Sequence, residues 1–374
     1  MTFRIPLLTE QGNPTGRDRL LGALSASGGE EGESLEAFES AVAQLLGGNV
    51  EVVALESPSV ATHLALLLTG VEAGDEVYGP AFIRSSAVQA LREIEARLVA
   101  IDAEAQTWNA DPDRLVTALT EAADEHRAPA AVIVSHLFGQ PGNVASVIDA
   151  ARAREVPVIE DATEALGARV RGHMAGTIAD VGVTALAIPA RPMPVEIGLL
   201  VLRDSRTSER ARAFAGLRSG ESQERREGWP PESRLSNLLA AVGAGQLTIE
   251  AGRLERCQHN RARYLEGLEP VQGIGLQQAA EGVEASGFLI AARVENALET
   301  DRDRLVRALG ERSIESRALP APVQAQRTGL DVRTVGGDVS RGLSRTALVL
   351  PSGSLLTESE VDEICAELAV RLAC

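Results

Sequence analysis

From about residue 50 to residue 202 the chain alternates short apolar runs with stretches of helical period, and that alternation leaves few folds open to it. Residues 52–56, 75–78, 98–102, 131–136 and 156–160 read as buried strands. Helical periods fall between them at 60–69, 83–95, 111–126 and 144–154. Strand, helix, strand at this spacing predicts parallel β-structure with right-handed crossovers, hence an α/β sheet covered by helices. Further strands are expected at 181–188 and 198–202.

Beyond that series the character changes. Residues 219–231 are polar and rich in breakers, and read as a loop. A long helical pattern follows over 234–268, then a strand at 288–294, a helix at 301–309 and a strand at 347–350. A closing helix is expected over 357–372, with Thr357 and Glu360 as a capping box. At 374 residues the chain exceeds the usual size of one core. The expected division is a large domain over 1–250, beginning with an arm over 1–30, and a smaller α+β domain over 251–374. No internal repeat is visible.

Composition narrows the function. A net charge of −17 argues against nucleic acid and anionic membranes as partners and leaves a small-molecule substrate. No apolar run reaches the length that spans a bilayer, and the start of the sequence lacks the basic-then-apolar pattern of a signal peptide. Cys257, Cys365 and Cys374 are too scattered for a disulfide frame, which points to the cytoplasm. No His/Cys spacing suits zinc, so no metal is expected, and there is no phosphate loop or nucleophile elbow. All 36 basic residues are arginine: the chain has no lysine, where roughly 20 are ordinary at this length.

The ordered motifs resemble the DegT/StrS family of sugar aminotransferases and dehydratases. They include Leu35-Glu36-Ala37-Phe38-Glu39, Gly74-Asp75-Glu76-Val77, His136-Leu137-Phe138-Gly139-Gln140-Pro141, Glu160-Asp161-Ala162, Ala165-Leu166-Gly167-Ala168 and Leu350-Pro351. The resemblance spans nearly the whole chain. It implies the type I fold of pyridoxal phosphate (PLP) enzymes: a large α/β domain with a mostly parallel seven-stranded sheet, and a smaller C-terminal α+β domain. It also implies a homodimer with its sites at the subunit interface.

Compared position by position, the family's cofactor contacts are altered. Pro58 and Ser59 stand in the phosphate-binding turn, and proline has no N–H to donate. Arg84 takes the place of the ring-stacking aromatic, Ala185 that of a phosphate-binding serine, and Pro189 or Ala190 that of the Schiff-base lysine. Glu232 replaces an asparagine that reaches the phosphate from the partner subunit. Asp161 matches the carboxylate that holds the pyridine nitrogen, and Glu164 stands near the ring oxygen position.

These changes lead to the expectation of an enzyme without PLP that is not a transaminase. Asp161, Glu164 and His136 would transfer protons, and Arg84 would hold an anionic or carbonyl oxygen, in dehydration, cyclisation or condensation of a small biosynthetic intermediate. A catalytically inactive partner protein and a dehydratase using non-covalent pyridoxamine phosphate (PMP) are the alternatives. Strand alternation puts Glu160 and Asp161 on opposite faces, and His63, on an apolar helix, reads as a core residue.

Overall fold

A computed structural model describes residues 3–9, 33–189, 195–215, 233, 235–295 and 299–373. Most of the arm over 1–30, the loop at 219–231, Ala190 and Glu232 lie outside these residues.

The main sheet uses β1 (Glu51–Leu55), β2 (Glu76–Pro80), β3 (Arg97–Ile101), β4 (Ala131–Ser135), β5 (Val158–Ala162), β8 (Val181–Ile188), β9 (Val195–Leu202) and β14 (Val332–Val335). A small hairpin of β6 (Arg169–Val170) and β7 (His173–Met174) falls between β5 and β8. The eight strands are ordered β1-β9-β8-β5-β4-β2-β3-β14. Only β9 runs against its neighbours, pairing antiparallel with both β1 and β8. Every other pair is parallel. The carboxyl ends of β1, β2, β4, β5 and β8 therefore open on one edge. β4 and β5 are buried at every position, as expected of strands covered on both faces.

Helices α1 (Glu33–Leu45), α2 (Pro58–Leu68), α3 (Ser85–Ile94), α4 (Pro112–Asp124), α5 (Ala145–Arg152) and α6 (Ser205–Phe214) accompany this sheet. Helix α2 is apolar almost all round and almost wholly buried. His63 on it is a core residue, its Nδ1 3.0 Å from Glu93 Oε2. The start of α2 is pressed against β9. A Cβ at Gly198 would lie 2.1 Å from the Ser57 carbonyl oxygen, so only glycine permits the approach.

The second sheet is four-stranded and antiparallel: β10 (Ile274–Leu276), β12 (Ile290–Val294), β15 (Ala347–Leu350) and β13 (Arg317–Ala318), in that order. A further short strand, β11 (Val283–Glu284), pairs with β6. Helices α8 (Glu299–Glu311), α9 (Asp338–Thr346) and α10 (Glu358–Leu372) belong to this half, and α10 starts on the expected capping box. The 32-residue α7 (Asn237–Leu268) joins the halves. Its first turns pack at Ala240 into the core around Phe38, whereas Tyr264 and Leu268 belong to the core beneath the second sheet.

The architecture is the expected α/β one with a mostly parallel sheet, but eight strands replace the expected seven. The extra one, β14, comes from the C-terminal half and pairs parallel with β3. Its four residues are polar or partly exposed, so it carries no buried-strand pattern.

Candidate active site

The carboxyl edge of a parallel sheet, where strand ends and helix starts meet, is the usual place for a site in an open α/β fold. Here it gathers four charged side chains. Asp161 is the penultimate residue of β5 and Glu164 follows in the next turn. Arg84 is the extended N-cap residue of α3, just beyond the end of β2. Glu196 sits at the start of β9, directly across from Ala187 on β8. Arg84 Nη1 lies 2.8 Å from Glu164 Oε1, and its Nη2 lies 3.4 Å from Glu196 Oε2.

Arg84 thus faces three carboxylates. Burial alone would lower its pKa, but the charges of Glu164, Asp161 and Glu196 overcome this and raise it. Burial pushes the Glu164 carboxyl above the usual carboxylate range. Arg84 and the Phe138 N–H, which donates to Glu164 Oε2 at 2.8 Å, pull it back only in part.

Asp161 is half satisfied. Its Oδ1 accepts from the Thr163 hydroxyl at 2.5 Å and from the Thr163 N–H at 3.1 Å. Its Oδ2 is buried and has no donor. Ser135 pairs with Asp161 in the β4–β5 register, so the two side chains share a face, and the Ser135 hydroxyl is also buried without a partner. Two orphaned polar groups side by side mark a surface made for something the chain does not itself supply.

The opposite face of β5 is different. His136 is not brought to this site: its ring is fully buried, with Nε2 2.8 Å from Glu160 Oε1. Glu160 also accepts from the N–H groups of Gly176, Ile178 and Ala179. Burial would raise the Glu160 carboxyl, but the bonds from His136 and from these N–H groups hold it below its ordinary value. Only the His136 Nδ1 is left without a partner there. His136 therefore braces Glu160, which anchors the 176–179 segment, and does not reach the cluster.

The remaining nominated positions fall around the cluster. Ser59 lies in the first turn of α2 with no hydrogen-bond partner among the described residues, and Pro58 beside it has no N–H. The other early N–H, that of Val60, is taken by the Ser57 hydroxyl. Ala185 lines a cleft with Thr163, Glu164 and Glu196, and Pro189 is half-buried at the end of β8. Glu196 and Ser135 went unnoticed in the sequence. The available signal was a charge inside an otherwise apolar strand and the parity of neighbouring strands.

These residues fit a pyridoxal-type group at its ring. An unsatisfied buried carboxylate suits a protonated pyridine nitrogen, and Arg84 is a cation already drawn to the same carboxylates. The N-terminus of α2 offers an anion the single free N–H and hydroxyl of Ser59. The chain has no lysine to bond the group covalently.

Known proteins resemble the chain along most of its length. The chain is 31% identical over 335 residues, 88% of its length and 85% of the other, to EpsN of Bacillus subtilis, whose name assigns it to the pyridoxal phosphate-dependent aminotransferases. It is 30% identical over 292 residues (74% of this chain, 72% of the other) to a dTDP-3-amino-3,4,6-trideoxy-alpha-D-glucose transaminase of Micromonospora megalomicea. The Escherichia coli GDP-4-keto-6-deoxy-D-mannose-3-dehydratase, solved with bound hydrated PLP, shares the fold at a TM-score of 0.85, with 20% identity and coverage of 98% and 100%.

Two expectations fall here. The reading of an enzyme that works without PLP and the reading of no cofactor are both overturned, because one relative is named a pyridoxal phosphate-dependent aminotransferase and another a dTDP-sugar transaminase. With a sequence match over residues 15–369, the chain belongs to the DegT/DnrJ/EryC1/StrS aminotransferase family.

Proposed function

We propose that the chain is an enzyme of amino- or deoxysugar formation, acting on a nucleotide-linked keto sugar with a vitamin B6 phosphate held without a covalent bond. The observation that carries this reading is the buried, donorless Oδ2 of Asp161. When bound, the cofactor supplies an electron-withdrawing ring and, in its pyridoxamine form, the amine that this lysine-free chain lacks.

The chain's own residues then have separate tasks. Asp161 holds a proton at the ring nitrogen, and Thr163 fixes the rotamer of Asp161. Ser59 at the start of α2 takes the phosphate end. Arg84 neutralises Glu164 and Glu196 and would balance their charge beside a ring held at Asp161. Glu164, a carboxyl whose pKa burial raises, can carry a proton to a departing hydroxyl. His136 has no part in this; it holds the far face of β5.

Three wider expectations belong to the same reading. The working form is a homodimer, with the partner completing the phosphate end. The division between the halves lies near residue 250, supported by the way α7 shares its packing between two cores. The activity is placed in the cytoplasm. Three cysteines too scattered along the sequence for a disulfide frame support that.

The test is to titrate the full chain with PMP and with PLP, followed by absorbance and calorimetry, and to add borohydride as a check for covalent attachment. Saturable one-to-one binding without a covalent adduct is expected, weakened at least tenfold by Asp161→Asn. Absence of binding at millimolar concentration, or binding indifferent to Asp161→Asn, overturns the reading. Mass spectrometry of GDP-4-keto-6-deoxy-mannose after incubation with the loaded protein then tests the substrate class.

A further inference from the structure

A second cleft lies where the C-terminal half meets the loop after β4, and it is built almost entirely from donors and apolar walls. Its polar side chains are Arg261 on α7, Gln140, and Gln277 just after β10; Phe138, Leu276 and Leu289 supply apolar surface. Arg261 is half-buried, and its Nη2 donates to Gln140 Oε1 at 3.0 Å. No carboxylate among the described residues pairs with it, although the chain has 53 acidic side chains. Arg84, Arg212, Arg253 and Arg263, by contrast, each face one. Burial, with nothing opposing it, lowers the Arg261 pKa.

The neighbouring amide sharpens the point. A guanidinium has only donors, so Gln140 must turn its oxygen toward Arg261, which fixes the amide orientation. Gln140 Nε2 is then a buried donor with no acceptor, on a side chain only 3% exposed. The loop cannot relax to satisfy it. The Gln140 carbonyl oxygen accepts from Asn109 Nδ2 at 2.9 Å, and the Gln140 N–H donates to the Leu137 carbonyl at 3.1 Å. The amide of Gln277 is already committed, donating to the Thr107 carbonyl at 2.6 Å and more weakly to that of Leu137. An unpaired guanidinium and an orphaned amide donor in one cleft present complementary partners to the two oxygens of a planar anion.

We infer that Arg261 and Gln140 form an oxyanion site, separate from the Asp161 cluster, that takes a small carboxylate or phosphate between the two halves of the chain. Nothing in this inference depends on the cofactor. Such an anion ties α7 to the loop that carries Phe138, whose N–H holds Glu164. Occupancy therefore stiffens one wall of the Asp161 cluster.

The experiment uses the full chain, without cofactor, in calorimetric titrations with inorganic phosphate and with glutarate at constant ionic strength set by chloride. Saturable binding of one or both is expected, and the arm that binds names the class. Arg261→Gln lowers affinity at least tenfold, whereas Arg263→Gln, on the same helix but paired with Asp362, leaves it unchanged. Gln140→Glu is nearly isosteric and supplies an internal anion, so it raises Tm in chloride alone and abolishes binding. If neither anion binds the wild type, or if Arg261→Gln binds as tightly as the wild type, the site does not exist. Should Gln140→Glu fail to fold, the Arg261→Gln arm decides alone.

Discussion

Two carboxylates adjacent in sequence, Glu160 and Asp161, sit on opposite faces of one strand and meet opposite treatment. Glu160 is saturated, with a histidine and three backbone N–H groups on its two oxygens. Asp161 is equally buried, yet one of its oxygens has no donor and the serine beside it in register has no partner. A buried charge that is fully bonded serves the fold, because removing its partners costs stability directly. One left half-bonded is a cost the fold carries for another purpose. The difference separates structural from functional acids better than burial or sequence position does.

The largest expected effect breaks the comparison at its saturated end. Glu160→Gln sets an amide NH2 against at least one existing donor and removes the charge. It should cost about 3–5 kcal/mol in urea denaturation, as for the loss of one partner from a buried pair. Asp161→Asn, the same chemical change one residue on, should cost less than about 1 kcal/mol or stabilise the chain, while cofactor binding is lost. Equal losses for the two variants would erase the distinction drawn here.

Next in size is Arg84→Met. It removes the cation from a cluster of three carboxylates, and about 1–3 kcal/mol of stability should go with it. The same change removes a competitor for Asp161, so PMP affinity should rise several-fold. Affinity that falls in parallel with stability would mean that Arg84 holds the ligand instead of giving way to it.

Much of this site was legible in the sequence, and the parts that were not have physical reasons. The family resemblance points to Arg84, Asp161 and Glu164, whereas strand pattern alone does not, since β2 (Glu-Val-Tyr-Gly-Pro) and β5 (Val-Ile-Glu-Asp-Ala) mix polar with apolar residues. The carboxyl-edge rule nominates His136, because it ends the strand expected over 131–136. The rule ignores parity, however. Ser135 is the partner of Asp161 in register, so its neighbour His136 turns to the Glu160 side. Glu196 enters the cluster only because the β8–β9 hairpin brings residue 196 opposite residue 187, and no local pattern reports that pairing. Strand β14 escaped for a related reason: its four residues gain their place from an edge already built by β3.

The pH dependence of stability should combine two opposite signs among the buried acids. Glu160 and Asp102 are held below their ordinary values. Their contribution is complete above the unfolded carboxylate range, near pH 4, and is lost as pH falls through the folded values. Glu164 and Glu39 are raised by burial, so each penalises the fold when ionised, and that penalty disappears as pH falls through the raised value. Acidification from neutral pH should therefore first stabilise the chain slightly and then destabilise it below about pH 4. Urea midpoints followed from pH 7 to pH 3 check the shape, with Glu164→Gln shrinking the early rise and leaving the acid loss unchanged.

The smallest effect tests whether Asp161 is held in place for a ligand. Thr163→Val keeps the shape of the side chain but deletes the hydroxyl that donates to Asp161 Oδ1, leaving the backbone N–H in place. One net hydrogen bond is worth about 0.5–1.5 kcal/mol, and the remaining donor should keep the stability loss at the lower end. Cofactor affinity should fall further than that, because a carboxylate free to rotate presents its second oxygen to the ring only part of the time. If stability and affinity fall by the same free energy, Thr163 is supporting the fold and not the orientation of Asp161. A larger loss in affinity places it with the unsaturated face of β5, as a positioning residue for an acid whose partner comes from outside the chain.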